Sequence, residues 1–253
     1  MPTLRTARCF SSDSTFRLLP WLLLALLLLA AAPAVWAETV VGNGKSASEA
    51  RDTGEFNAIA ISGNIALKLR QGSAPSVVVH GDSNLLPLIE TVVEGDKSLQ
   101  LRWRRGVSVR SHAPVVVEMV APQVQAVASA GSGDIQINTM KVPRLSLSIR
   151  GSGGLRATAL NAEDLAISSA GSSDLKLAGL ASRMTIQLSG SGGVDAGELR
   201  SEDVTVSIAG SGAATVHASR RLVVSIAGSG NVLYGGEPSV QRSIAGSGSV
   251  RKR

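Results

Sequence analysis

A three-residue turn that returns seven times restricts this chain to very few folds. Gly131-Ser132-Gly133, Gly151-Ser152-Gly153, Gly171-Ser172-Ser173, Gly190-Ser191-Gly192, Gly210-Ser211-Gly212, Gly228-Ser229-Gly230 and Gly246-Ser247-Gly248 start 20, 20, 19, 20, 18 and 18 residues apart. A period of this length marks a solenoid, in which each repeat buries its apolar face only against its neighbours.

The residues around each turn say what is repeated. Before it, alternate positions are apolar: Leu145, Leu147 and Ile149; Leu165 and Ile167; Met184, Ile186 and Leu188; Val204, Val206 and Ile208; Leu222, Val224 and Ile226. After it the alternation resumes, as at Ile135 and Ile137, Leu175 and Leu177, Val194 and Ala196, Ala214 and Val216, and Val232 and Tyr234. Period two means strand, so each repeat reads as strand, sharp turn, strand. Met140, Leu160, Leu180 and Leu199 recur as a third inward marker at the second corner.

Coiling stacks equivalent strands about 4.8 Å apart. The expected fold is all-β, a single-domain, two-sheeted parallel β-solenoid of right-handed form with irregular N-terminal coils. The glycines are read as structural corners, because a chain reversing between two sheets in three residues passes through positive φ. The serine between them is expected to bond the corner's backbone through its hydroxyl. At the last coil Arg242 occupies the inward position of Val206 and Val224, and Arg251-Lys252-Arg253 adds charge that discourages end-to-end strand pairing.

With 27 glycines and only 3% aromatic residues among 253, a thin stack suits the composition better than a compact globule does. Residues 1–37 read as a secretory signal. Arg5, Arg8 and Arg17 precede the apolar run 18–32, and Val35-Trp36-Ala37 offers a cleavage site; an uncleaved anchor is the alternative. Residues 38–55 then form an N-terminal strand and linker, 56–130 irregular coils and 131–253 the regular solenoid.

Cys9 is the only cysteine, and it falls before the apolar run. The exported chain therefore lacks a thiol, which excludes a disulfide framework, a thiolate nucleophile and a cysteine zinc site. Without Arg5, Arg8, Arg17 and Asp13, 22 basic and 18 acidic residues leave a charge of +4. So small an excess is poor ground for an anionic partner, and export argues against nucleic acid. Membrane contact is expected through the signal segment alone.

Between 40 and 130 the strands lose their period. Ile59, Ile61, Ile65, Leu67 and Leu69 alternate around Gly63; Val77 and Val79, Leu99, Leu101 and Trp103, and Val115, Val117 and Met119 do likewise. Asp82-Ser83-Asn84 before Leu85, Leu86 and Ile89 predicts a short helical turn with a polar cap. These segments are expected to continue the same stack.

Phe56-Asn57-Ala58-Ile59 with Ile61-Ser62-Gly63, the segment Gly81 to Pro87 leading to Glu90-Thr91, and the serial turns together resemble the head GIN domain of auto-transporter adhesins over most of residues 40–253. The resemblance implies a two-sheeted, pectin-lyase-like right-handed β-helix without the catalytic residues of those lyases, and a role in cell adhesion. It supplies no binding residues.

Catalytic and ligand-binding patterns are weak. Asp134, Asp174 and Asp195 follow turns, but Gly154, Ala213, Asn231 and Ser249 interrupt the series, so neither an acidic calcium column nor a trio of Asp134, Arg156 and Asp174 is favoured over a solvated face. The period is about twice that of calcium-binding nonapeptide repeats. Gly42-Asn43-Gly44-Lys45-Ser46 ends like a phosphate-binding loop, yet Thr39 replaces its first glycine. His80, His112 and His217 are far apart in sequence, and although Arg102, Arg104, Arg105 and Arg110 flank Trp103 like a patch for an anionic glycan or lipopolysaccharide, the alternation turns Arg102 and Arg104 outward as on a solvated strand. No catalytic residue, metal or cofactor is expected.

The outward face before each turn is different. Ser148, Ser168, Gln187, Ser207, Ser225 and Ser243 are small or neutral and recur in register, forming a flat candidate contact wall for a copy of the chain or for an envelope or surface partner, protein or polysaccharide. The expected function is non-enzymatic adhesion or envelope scaffolding. A carbohydrate-binding or carbohydrate-processing solenoid and a periplasmic sensor or assembly factor with a protein partner are the alternatives.

Overall fold

The computed structural model describes residues 38–253 apart from residue 96; the signal segment expected over residues 1–37 lies outside the described residues. Residues Glu38–Arg253 form one unit of strands wound into parallel coils. The first face stacks the end of each coil: Ala58–Gly63, Ala126–Gly131, then the last residues of Met140–Gly151, Leu155–Gly171, Asp174–Gly190, Gly193–Gly210 and Ala213–Gly228, and finally Ser239–Gly246. The second face stacks Ile65–Gln71, Ile135–Ile137, the first residues of the long strands, Asn231–Gly235 and Ser249–Lys252. A short third ladder at the second corner, beginning with Met140 beside Leu160 and Val142 beside Ala162, closes each coil.

Like side chains sit on like side chains through this stack. Leu147, Ile167, Ile186, Val206 and Val224 form one continuous inner column, each no more than 2% exposed. Full burial of an aliphatic side chain is worth about 1.5–3 kcal/mol, so columns repeated over the coils replace the aromatic centre of a globule. Arg242 pairs with Val224, as the alternation predicts, and it is exposed because no further described coil lies over it.

The corners set how closely coils approach. The first glycine of each of the seven triplets has φ between +118° and +152°. At Gly210 a Cβ would stand 2.5 Å from the Gly190 carbonyl oxygen of the preceding coil, and at Gly212 it would stand 2.7 Å from the Gly192 oxygen. The amide after the first glycine fills the corner: Ser211 N–H donates to Gly190 O at 3.0 Å, Ser229 N–H to Gly210 O at 2.9 Å and Ser247 N–H to Gly228 O at 3.0 Å. The expected bond from the middle serine's hydroxyl is thus made by its backbone amide instead, and the side chain is exposed. Only Ser173, in a third position, uses its hydroxyl, donating to Gly151 O at 3.0 Å from a fully buried site.

One inward marker is displaced. Leu180 is 53% exposed and pairs with Asn161 and Arg200, whereas Gly179 occupies the register of Leu160 and Leu199. The turn-to-turn step from Gly171 to Gly190 is one residue shorter than its neighbours, and Gly179, at φ +135° with its Cα against the Leu160 carbonyl, absorbs the slip.

The N-terminal half continues the stack for one coil, with Gly63 as an eighth corner in register with Gly131. Residues 72–125 then leave, pack Ser98–Trp103 and Val115–Ala121 onto the opposite side of that coil, and return to start the next one above it. Not all of this insertion is coil. Ser46–Arg51 pairs antiparallel with Ser76–Asp82, which pairs antiparallel with Val115–Ala121, and Ile89–Glu94 is antiparallel to Ser98–Trp103. Of these pairs, Ile89–Glu94 with Ser98–Trp103 is a hairpin made by a short reversal, where a parallel coil would need a full circuit, and the other two join strands distant in the chain.

The expected turn exists as a 3-10 segment at Leu86–Leu88, without a side-chain cap. Asp82 Oδ2 accepts from the His112 amide, and Asn84 Oδ1 accepts from the Asn43 amide, so these polar residues tie neighbouring segments together.

Ile208→Asp, at a position 1% exposed, is expected to cost several kcal/mol and unfold the stack, read by thermal denaturation. Gly210→Ala should lower stability by more than about 2 kcal/mol, whereas Ser211→Ala should stay within about 0.5 kcal/mol; equal effects in chemical denaturation would contradict the corner geometry.

Candidate functional site

Six residues form the centre line of a flat face. Ser148, Ser168, Gln187, Ser207, Ser225 and Ser243 are cross-strand partners in an unbroken row, with Ser148 half-buried and the others exposed. Ser146, Ala166, Thr185, Thr205, Val223 and Gln241 run along one side, and Arg150, Ala170, Ser189, Ala209, Ala227 and Ala245 along the other. Ala58, Ala60 and Ser62, then Ala126, Ala128 and Ala130, extend the same rows. Arg150 is the one ionisable residue in these three rows. Strict register keeps the surface level, since every coil presents the same short side chains at the same height.

The wall ends on an ionic ladder. Arg144, Asp164, Arg183, Asp203 and Arg221 follow one another across the coils. Arg183 Nη2 donates to Asp164 Oδ2 at 2.9 Å, and Arg144 Nε lies 3.8 Å from that oxygen. Arg220 Nε donates to Asp203 Oδ1 at 3.0 Å. The Arg183 hydrogen bond holds the Asp164 carboxyl below the usual carboxylate range, and the Arg220 hydrogen bond does the same for Asp203. Opposite charges on adjacent coils favour one stacking register, although solvent screens each pair.

The acids after the turns do not converge. Asp134 Oδ1 accepts from the Gly154 amide at 2.8 Å, while Arg156 and Asp195 belong to the next row, with Gln136, Lys176 and Thr215. Among the described residues no ion pair joins Arg156 to Asp134 or Asp174, and no three His, Cys, Asp or Glu side chains gather as a metal site. The glycine loop at 42–46 packs its Gly42 against the Asp82 carboxylate and gives its amides to Arg110 O and Asn84 Oδ1, an arrangement unsuited to phosphate.

One juxtaposition was invisible in the linear chain. Antiparallel pairing places Ser48 Oγ 2.8 Å from His80 Nδ1, and Glu118 Oε2 lies 3.7 Å from His80 Nε2. The order mimics a nucleophile, base and acid. Yet Glu118 gives its nearer contact to Lys68 Nζ at 3.0 Å and leaves the ring without the hydrogen bond that would orient it as a base. Similarly, Arg102 is held on Glu90 and Glu94, outward from Trp103 as the alternation predicts.

The ladder predicts a pH response. Because the two aspartates have depressed pKa values in the fold, their stabilising contribution is present above the usual carboxylate range and is lost as pH falls through the folded values. Asp164→Asn with Asp203→Asn should flatten the loss of thermal stability below about pH 4; an unchanged acid limb would show that the ladder contributes nothing.

Residues 55–238 match the family described as "Putative auto-transporter adhesin, head GIN domain". No curated protein matches the chain. Among solved structures, a "putative adhesin" from Bacteroides fragilis is 25% identical with a TM-score of 0.80, the match covering 85% of this chain and 100% of the other. A "putative adhesin" from Parabacteroides distasonis is 25% identical with a TM-score of 0.68 over the same shares. A "putative lipid binding protein" from Parabacteroides distasonis, 23% identical with a TM-score of 0.69 over 85% of this chain and all of that one, shares the fold. With nearly three-quarters of its length matched by that family, this chain belongs to the head GIN domain family of auto-transporter adhesins.

Proposed function

We propose that this protein is a non-enzymatic adhesion module of the bacterial cell envelope, exported by its N-terminal segment, which makes contact through the flat wall centred on Ser148, Ser168, Gln187, Ser207, Ser225 and Ser243. The observation that carries this reading is the unbroken register of those residues in a chain of an adhesin family. Structural need explains the glycines of the corners, but it does not require short neutral residues on an outward row that solvent would accept as lysine or glutamate.

The size of the wall indicates the kind of contact. Eight stacked strands span roughly 34 Å, and three alternate side chains along each span roughly 16 Å, so the face offers on the order of 500 Å² against the ~800 Å² per partner of a standard stable complex. Such a face suits a weak contact repeated many times. Multivalent display on a cell raises avidity without any new contact. The side chains are too short to hold a small ligand but can lie against another level surface, such as an envelope component or a second copy.

Ser168→Lys, Ser207→Lys and Ser225→Lys together should abolish binding of the purified protein to cells, and any self-association in sedimentation velocity, with the melting temperature retained. Undiminished binding would rule this face out. Surface proteolysis of intact cells is expected to remove the protein; full protection would place it inside the envelope and favour the sensor or assembly role.

A further inference from the structure

Irregularity is concentrated at the second corner. Coils of different length meet there, and the ladder slips between Ala157 and Leu160, Lys176 and Ala178, Ala196 and Arg200, and Ser201 and Asp203. The slips open a groove of roughly 460 Å³ that runs across four coils, parallel to the solenoid axis. One rim is the row Asn161, Leu180, Arg200 and His217; the other carries Ser182, Glu202 and Ser219. Ala162 and Ala181 form a shallow floor that continues into Ser201.

Three features of this groove find no use in holding the coils together. Ser201, only 4% exposed, has an unpartnered Oγ, and the buried Nδ1 of His217 is also unpartnered. Unpaired polar atoms of this kind are costly to fold, and because both are sealed from solvent, the polar surface open to a ligand is that of the rims. Among the described residues no carboxylate lies within ion-pair distance of Arg200, whereas Glu202 across the groove is approached by Arg220 at 3.8 Å. Leu180, 53% exposed, stands between Asn161 and Arg200 as an apolar platform.

We propose that this groove binds an acidic polysaccharide, a chain of uronic acid residues lying along the solenoid axis. The coil repeat of about 4.8 Å is close to the length of one sugar ring, so successive coils can address successive residues. The Arg200 guanidinium takes a carboxylate through paired N–H donors. Leu180 covers the C–H face of a ring, and Asn161, Ser182, Glu202 and Ser219 meet ring hydroxyls from the two rims. The site is separate from the flat wall, but as a saccharide site it extends the adhesion reading, and the two can fail independently.

Calorimetric titration of the full folded protein with galacturonic acid hexamer, galacturonic acid monomer and neutral maltohexaose tests the proposal. The acidic hexamer is expected to bind at least about tenfold more tightly than either of the others. Arg200→Ala and Leu180→Ser should each weaken it by about tenfold, with circular dichroism unchanged. Arg144→Ala, which removes an equal charge outside the groove, should leave affinity intact, as should the triple lysine variant of the wall. Absence of binding, equal affinity for maltohexaose or for the monomer, or equal losses in Arg144→Ala and Arg200→Ala would overturn the assignment; loss in the wall variant alone would move the sugar to the other face.

Discussion

Everything in this molecule depends on how closely one corner lies over the next. At each Gly-Ser-Gly turn the carbonyl of the coil below occupies the space a Cβ would need, and it accepts the amide of the residue that follows. The contact is short, repeated and indifferent to side chains. It fixes the vertical register, and fixed register is what lets leucine sit on leucine in the core and serine on serine outside. A solenoid built this way has few alternatives, because a one-residue slip would turn the inward columns out to water.

Strict register has a functional side. Where coils match in length, the outward rows are level, and the resulting wall can only touch another level surface. Where they differ, as at the second corner, the chain forms bulges, leaves Leu180 outside and opens a groove with unpartnered polar atoms. The same stack thus presents a broad neutral face and a groove of mixed polar and apolar lining, and lengths of 18 to 20 residues between turns decide which appears where. The ionic ladder of Arg144, Asp164, Arg183 and Asp203 marks the border between them.

Chain order and spatial order part company in the N-terminal half. The coil at 58–71 pairs with 126–137 on one side and with strands of 98–121 on the other, so the insertion passes beneath the coil it follows. Its antiparallel strands occupy that end of both sheets. Period-two patterning marks these segments as strands but is the same for parallel and antiparallel neighbours, which is why continuous coils were the natural expectation. The pairing of Ser48 with His80 depends on that antiparallel register, and no sequence spacing could have revealed it.

The sequence by itself determined the architecture, because seven glycine corners and the alternation around them leave a parallel solenoid as the one way to bury so many short apolar rows. It also determined the composition of the outward wall, since a residue's face follows from its parity relative to the turn. Only the tertiary structure decided what happens where parity fails. Gly179 took the register that spacing assigns to Leu180, the amides of the middle serines replaced their hydroxyls, and the corner groove with Ser201, Arg200 and His217 came from the mismatch of neighbouring coils. A local pattern records which side of a strand is wet; it does not record how two coils of unequal length accommodate each other, because that outcome is settled by contacts between residues about twenty positions apart.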